Sequence, residues 1–364
     1  MKNKITSLLM LSMILTSCGG TPSVKDYQTD LEFKPGYMVC LLTDIHLSYE
    51  SDIEVEFTYL KEAIYANALI AHPGIDVNDK TNETLLKEFA PDMIFLNGDT
   101  FMDANKQVVD SFFRFLDSFD IKFGLTYGNH DIEGLYGRMY IDTVLKNCKN
   151  SIYKNPLNDN VYGNSNYVVN LKSGNEVKWQ LISLDTNTYL NNNYDSIHDD
   201  QIEWYKKQVL DGNKAPSLLF THIPVEEYSK AWEEETNGEF TSVPSKDYTG
   251  DSIWWMNEKS NSSTIETNMF ETIQELEATQ GIVSGHDHIN CADFKYKGEE
   301  EHEVRLIYAL KTGHGIYHDE RLMGVSFFTL SDGTDFENTR IFLDYNHQAF
   351  VMTDNYLLTE GREK

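Results

Sequence analysis

Residues 122–131 read KFGLTYGNHD, and the change of character after Thr126 decides the fold. Lys122 to Thr126 is short and mostly apolar, as a buried strand is, and the cluster Tyr-Gly-Asn-His-Asp follows with no linker. The same event recurs along the chain. Tyr37 to Leu42 runs into TDIH (43–46), Met93 to Leu96 into NGDT (97–100), Ser217 to Phe220 into THIP (221–224), and Gly281 to Val283 into SGHDH (284–288). Ligands of open α/β sheets bind in the crevice beyond the carboxyl ends of the strands, so a single sheet would bring all five clusters to one rim.

The spacing predicts further buried strands at Trp179 to Leu184 and Val304 to Leu310. Helical patterns lie at Val55 to Ile70, Thr84 to Phe89, Val108 to Phe119, Gln201 to Val209 and Ile265 to Ala278. This alternation of strand and helix argues for an α/β fold with helices packed outside the sheet. Asp199 or Asp200 stands as N-cap of the helix at Gln201, and Gly212 follows its end. Met323 to Leu330 and Thr339 to Leu343 pair around the turn Ser331-Asp332-Gly333. With 364 residues and no internal repeat, one large domain with insertions is expected.

Each cluster has an ordinary reading and a chemical one. Asp44 and His46 flank Ile45 after a strand; Asp99 follows Gly98, where a turn would also place a Gly-Asp pair. Asn129 can form a turn or offer its amide oxygen to a cation. His130 projects differently and can donate a proton to a leaving oxygen, while Asp131 either orients His130 or caps the next turn. His222 alone would usually be a satisfied histidine. His286 and His288, two imidazoles at i and i+2 opened by Gly285, can bend towards different metal ions. Five coincidences in order are improbable, so the clusters are read together as one metal site.

In this order the motifs Asp44-Ile45-His46, Gly98-Asp99, Gly128-Asn129-His130-Asp131, His222 and Gly285-His286-Asp287-His288 resemble the calcineurin-like metallophosphoesterase superfamily. The segments GNSNYVVNL (163–171), LDTNTY (184–189), THIPVEEY (221–228) and GHDHIN (285–290) are similar to its purple-acid-phosphatase-like branch. The resemblance implies an α/β fold, a four-layer sandwich of two mixed β-sheets flanked by helices. It implies two divalent metal ions, one held by Asp44, His46, Asp99 and His288, the other by Asp99, Asn129, His222 and His286, with His130 as general acid. The chain departs from true purple acid phosphatases in carrying Met102 where they have a tyrosine ligand, and in having His46. No tyrosine-to-iron charge-transfer colour is therefore expected. Oxygen and imidazole donors without thiolate suit Mn, Fe or Zn. The expected activity is hydrolysis of small phosphate monoesters by a bridging hydroxide; the alternatives are a phosphodiesterase acting on a nucleotide or phospholipid headgroup, and a non-catalytic binding lipoprotein.

The formal charge of −28 makes long nucleic acids poor partners, and none is expected, since phosphate backbones are met by Lys and Arg. At the N-terminus Lys2 and Lys4 precede an apolar stretch from Ile5 to Leu15, too short to span a bilayer, and Leu15-Thr16-Ser17-Cys18 resembles a bacterial lipobox. Residues 1–17 are read as a signal peptide and Cys18 as the lipidation site, which implies export and a membrane anchor in the cell envelope. Residues 18–35 are read as a tether, 36–345 as the catalytic domain and 346–364 as a tail. Residues 229–263, with Trp232, Trp254 and Trp255, form a long insertion that is either a lid over the metals or an aromatic patch on the core. Cys40, Cys148 and Cys291 show no disulfide framework. His314 and His318 in KTGHGIYHDE could touch substrate but are more often structural.

Overall fold

The computed structural model describes residues 21–133, 137–156, 160–240, 253–298, 301–343 and 349–351. Cys18 and the signal segment lie outside the described residues. The strands are β1 Gln28–Glu32, β2 Tyr37–Leu42, β3 Met93–Asn97, β4 Lys122–Thr126, β5 Tyr167–Ser173, β6 Glu176–Ser183, β7 Tyr189–Leu190 and β8 Asn193–Tyr194. They continue with β9 Ser217–Phe220, β10 Ile253–Met256, β11 Thr279–Ser284, β12 Asn290–Tyr296, β13 Val304–Tyr308, β14 Gly324–Leu330, β15 Phe336–Leu343 and β16 Ala349–Val351. The helices are α1 Ile53–Ile64, α2 Ala66–Ala71, α3 Glu83–Glu88, α4 Lys106–Asp117, α5 Gly137–Leu145, α6 Asp199–Asp211, α7 Glu227–Thr236 and α8 Met269–Leu276.

Two mixed sheets face each other. One has the order β16-β15-β14-β2-β3-β4, the other β1-β5-β6-β9-β11-β13-β12-β10. Strands β2, β3 and β4 run parallel in the first; β6, β9, β11 and β13 run parallel in the second. The expectation that one sheet carries all five clusters is thus corrected: three follow strands of the first sheet and two follow strands of the second. Strand pairing joins segments far apart in sequence, and local apolarity says nothing about which partners meet.

Continuous apolar strands let each sheet bury both faces. Leu218, Phe220 and Val283 point into the core shared by the two sheets, where Phe95 stacks on Phe220 at 4.3 Å. The intervening Leu219 and Ile282 point the other way, into a second core under α6, α7 and α8. On the first sheet α4 buries Val108, Val109, Phe112, Phe113 and Leu116, a stripe at i, i+4 spacing, and Asn105 caps it by accepting from the Val108 amide at 3.0 Å.

Several predicted boundaries move. The helix expected from Val55 to Ile70 breaks at Tyr65, whose backbone leaves the helical region (φ −101°, ψ 21°). The cap of α6 is His198, paired with Gln201 in a capping box, while Asp199 and Asp200 occupy the first turn. The helix expected from Ile265 to Ala278 is shortened to α8, stopped by Glu277 in the left-handed region (φ 55°). The tether does not extend to residue 35: β1 pairs with β5, and Tyr27 and Phe33 are buried. The fold also runs past residue 345, because β16 extends the first sheet beside β15. Among the described residues no helix is long and apolar enough to cross a membrane.

Candidate metal centre

The five polar clusters converge where the carboxyl ends of β2, β3, β4, β9 and β11 meet. Asn97, the last residue of β3, joins the sheets by donating its amide to the carbonyls of Thr221 (2.8 Å) and Val283 (3.2 Å). The Asp44 amide donates to the Gly98 carbonyl and the His46 amide to that of Asp99, locking the first two loops in step. Asp44, His46, Asp99 and His286 all hold positive φ (54°, 54°, 47° and 74°). Non-glycine residues pay for that conformation in strain, and such strain gathers at functional sites.

Two clusters of buried donors result, Asp44 with His46 and His288, and Asp99 with His222 and His286. His46 Nε2 and His288 Nε2 lie 3.0 Å apart, with His288 Nε2 3.3 Å from Asp44 Oδ1. His222 Nε2 lies 3.0 Å from Asp99 Oδ2. Asp99 Oδ2 is also 3.8 Å from His46 Nε2, so Asp99 stands between the clusters. Asn129 is buried beside them, its amide nitrogen donating to the Tyr189 hydroxyl at 3.2 Å and its oxygen left without a partner. All seven expected ligands are therefore brought together.

Surrounding groups aim these side chains. The Asn97 carbonyl accepts from His222 Nδ1 (2.9 Å) and the Tyr317 carbonyl from His288 Nδ1 (3.0 Å), so in the neutral form of each ring the proton sits on Nδ1 and Nε2 is left for a cation. Thr43 Oγ1 donates to Asp44 Oδ2 at 2.7 Å, and the His130 amide donates to Asp99 Oδ1 at 2.7 Å. Gly128 and Gly285 are required by close approach: a Cβ at 128 would stand 2.1 Å from Asp99 Oδ1, and one at 285 would stand 2.2 Å from Thr43 Oγ1.

The donor set fits cations. Asn129 Oδ1, His286 Nε2 and His46 Nδ1 are buried without a hydrogen-bond partner, and Asp99 Oδ2 and His222 Nε2 have only each other, 3.0 Å apart. Each such group costs about 1–3 kcal/mol if nothing satisfies it, so a cluster of them calls for ligated metal. Burial pushes Asp44 and Asp99 upward, but neighbouring imidazoles outweigh it and hold both carboxyls below the usual range. Burial presses His46 down to about 4 and His286 to about 3, keeping them neutral as ligands must be. His222 goes the other way: burial lowers it, yet Asp99 and Asp44 raise it to about 10.

His130 lies at the edge, its ring 5.2 Å from that of His46, with Nδ1 2.9 Å from Glu133 Oε1. Asp131 does not orient it. That carboxylate is buried and accepts from the amides of Gly128 (2.8 Å) and Phe101 (2.9 Å), tying the third loop to the second. Asp287 likewise belongs to neither donor cluster and accepts from the Tyr308 hydroxyl at 2.6 Å and from Asn261. The end of the insertion thus braces the histidine loop, and Trp232 and Trp255 are buried in packing clusters. Met102 is partly buried beyond the second loop, whose Met102 amide donates to Leu47.

Three residues that sequence reasoning passed over belong here. Lys311 is buried and donates to the Asp44 carbonyl at 2.5 Å; burial lowers its pKa to about 8. Arg138 donates to the Gly128 carbonyl (2.9 Å) and to Asp185 (3.0 Å), carrying the Asn129 loop. Tyr317 stacks on His288 at 4.4 Å. Each is a single residue without a local pattern; only the strand end before Lys311 hinted at it. His314 meets Glu56 at 3.3 Å.

A double-sheet α/β sandwich with two clusters of metal donors at its strand ends defines a metal-binding scaffold. Residues 37–290 match the family model of calcineurin-like phosphoesterases, and the chain belongs to that family. An uncharacterised protein of Schizosaccharomyces pombe is 27% identical over 272 residues, covering 72% of this chain; the chain spans about half, 47%, of that relative's length. Among solved structures, GAP50, the anchor in the inner membrane complex of Plasmodium, is similar at 12% identity, covering 88% of this chain and 89% of its own, with TM-score 0.49. NAD nucleotidase of Haemophilus influenzae is similar at 11% identity, covering 87% of this chain and 53% of its own, with TM-score 0.40.

Proposed function

We propose that the chain is a two-metal phosphoesterase that hydrolyses small phosphate monoesters. The observation that carries this is the cluster of buried donors, unpartnered at Asn129 and His286 and paired only with each other at Asp99 and His222, beside Asp44, His46 and His288. Asp44, His46, Asp99 and His288 would hold one cation, and Asp99, Asn129, His222 and His286 the other. Such cations supply Lewis acidity to phosphoryl oxygens and bring the pKa of water towards neutrality. The protein supplies the proton. Glu133 engages His130 Nδ1, which leaves Nε2 to deliver a proton to the departing oxygen. The Asn97 and Tyr317 carbonyls keep two ligand imidazoles in the binding tautomer, and the Asn97 bridge keeps the two sheets' ligands in register.

The motifs serve monoesters and diesters alike, and the relative turnover of a nitrophenyl monoester and diester decides between them. Export and lipid attachment at Cys18 rest on the N-terminal pattern alone; release of a Cys18→Ser variant from the membrane fraction supports them, and unchanged retention overturns them. For the activity, metal-stripped protein is re-supplied with Mn, Fe or Zn and given p-nitrophenyl phosphate and bis(p-nitrophenyl) phosphate. Metal-dependent turnover of the monoester, abolished in Asp99→Asn and reduced at least about a hundredfold in His130→Ala, is expected. Preference for the diester overturns the monoesterase reading, and turnover indifferent to metal overturns the mechanism.

A further inference from the structure

We infer that Tyr189 is a stacking platform for the leaving group, and that this site takes phosphate esters whose leaving group carries a planar aromatic ring, such as a nucleoside monophosphate. The inference rests on the phosphoesterase reading above and adds a substrate class to it. Tyr189 stands on the two-residue strand β7 of a small hairpin, paired with Tyr194 across a turn whose Asn191 and Asn192 both hold positive φ (53° and 68°). The Tyr194 ring meets the His286 ring edge-on at 4.4 Å. Tyr189 then lies nearly parallel to Tyr194, centroids 5.3 Å apart and planes at 29°.

One face of Tyr189 is therefore covered, yet the residue is 53% exposed. Its hydroxyl is engaged by the Asn129 amide, next to His130. This ties the ring to the loop that carries His130, the residue assigned to the leaving oxygen. What the ring has left to offer is an open π-face. A nucleobase or aryl group offers a flat π-system that such a face can take. The hairpin is too short to be stable alone, but its base is tied down, Asp195 to Thr188 through the backbone (3.1 Å) and Asn187 to the Ser196 carbonyl (3.0 Å). A ring held so firmly loses little entropy when a base stacks on it.

The test compares adenosine 5′-monophosphate with ribose 5-phosphate, which share phosphate and sugar and differ by the base. KM for each is measured on the metal-loaded full chain, and affinity for each by equilibrium dialysis. Wild type should bind the nucleotide about five- to a hundredfold more tightly, and Tyr189→Ala should bring the ratio close to one. Tyr189→Phe should keep the ratio, because the face remains, while lowering kcat on both esters, because Asn129 loses its partner. Equal affinity for the two compounds in wild type, or a ratio untouched by Tyr189→Ala, overturns the platform even if both are hydrolysed. A base preference that is lost in Tyr189→Ala without turnover of either ester keeps the platform and sinks the hydrolytic reading instead.

Discussion

His222 shows how one buried imidazole sets the pH response of the metal-free protein. Its neighbours Asp99 and Asp44 raise it from 6.5 to about 10 in the fold, so the folded state holds a proton that the unfolded chain releases above pH 6.5. That contribution is complete below pH 6.5 and is lost as pH climbs to about 10. Other shifted groups act mostly elsewhere. Asp131 and Asp287, raised to about 7 by burial, exert most of their dependence below pH 7, and Lys311, lowered to about 8 by burial, adds an opposite slope mostly above pH 8. Between pH 7 and 8 the two carboxyls are finishing their titration and Lys311 is beginning its own, so the His222 proton, worth up to about 1.4 kcal/mol per pH unit, is singled out by comparison with a His222 variant. Denaturant melts of chelated protein should show stability falling across that interval, with the slope flattened in His222→Asn. Parallel slopes for the two proteins would refute the His222–Asp99 pairing.

At the scale of elements, the site is made by loops that leave strands abruptly, and Gly128 is where least room is left. A Cβ there would lie 2.1 Å from the Asp99 carboxylate and 2.4 Å from its backbone nitrogen. Neither can retreat, since Asp99 Oδ1 is held by the His130 amide. Gly128→Ala should cost about 1–3 kcal/mol through overpacking and strip metal from the centre, measured by a denaturant melt and by metal content after dialysis. Full metal content with wild-type stability would mean the loops are looser than their hydrogen bonds indicate. These junctions were legible in the sequence because both signals are local: an apolar run of strand length, then ligand-type residues with a glycine. What was illegible is non-local or anonymous. Strand β1 reads Gln-Thr-Asp-Leu-Glu, polar enough to pass for coil, and becomes a strand only because β5 supplies partners. Arg138 and Lys311 are single cations whose targets, the carbonyls of Gly128 and Asp44, carry no side-chain signature.

The whole molecule is two sheets with one metal centre across their seam. Asp44, His46, Asp99 and Asn129 follow β2, β3 and β4 of one sheet; His222, His286 and His288 follow β9 and β11 of the other. Bound cations would therefore fasten the sheets at the end where the Asn97 bridge and the aromatic core between Phe95 and Phe220 already join them. A ligand that binds only the folded state adds about 4 kcal/mol when its free concentration is a thousand times its Kd. In a chain of this size each kcal/mol moves Tm by roughly 2 °C, so chelation should lower Tm by roughly 5–10 °C. Asp99 stands between the clusters, so Asp99→Asn should lose most of the metal-dependent rise, whereas Leu210→Ala, exposed on α6, should keep it. Calorimetric scans of the three proteins with and without chelator read this directly. If chelation leaves Tm unchanged in protein shown to have contained metal, the cations do not span the sheets, and the division of the seven ligands between two ions is wrong.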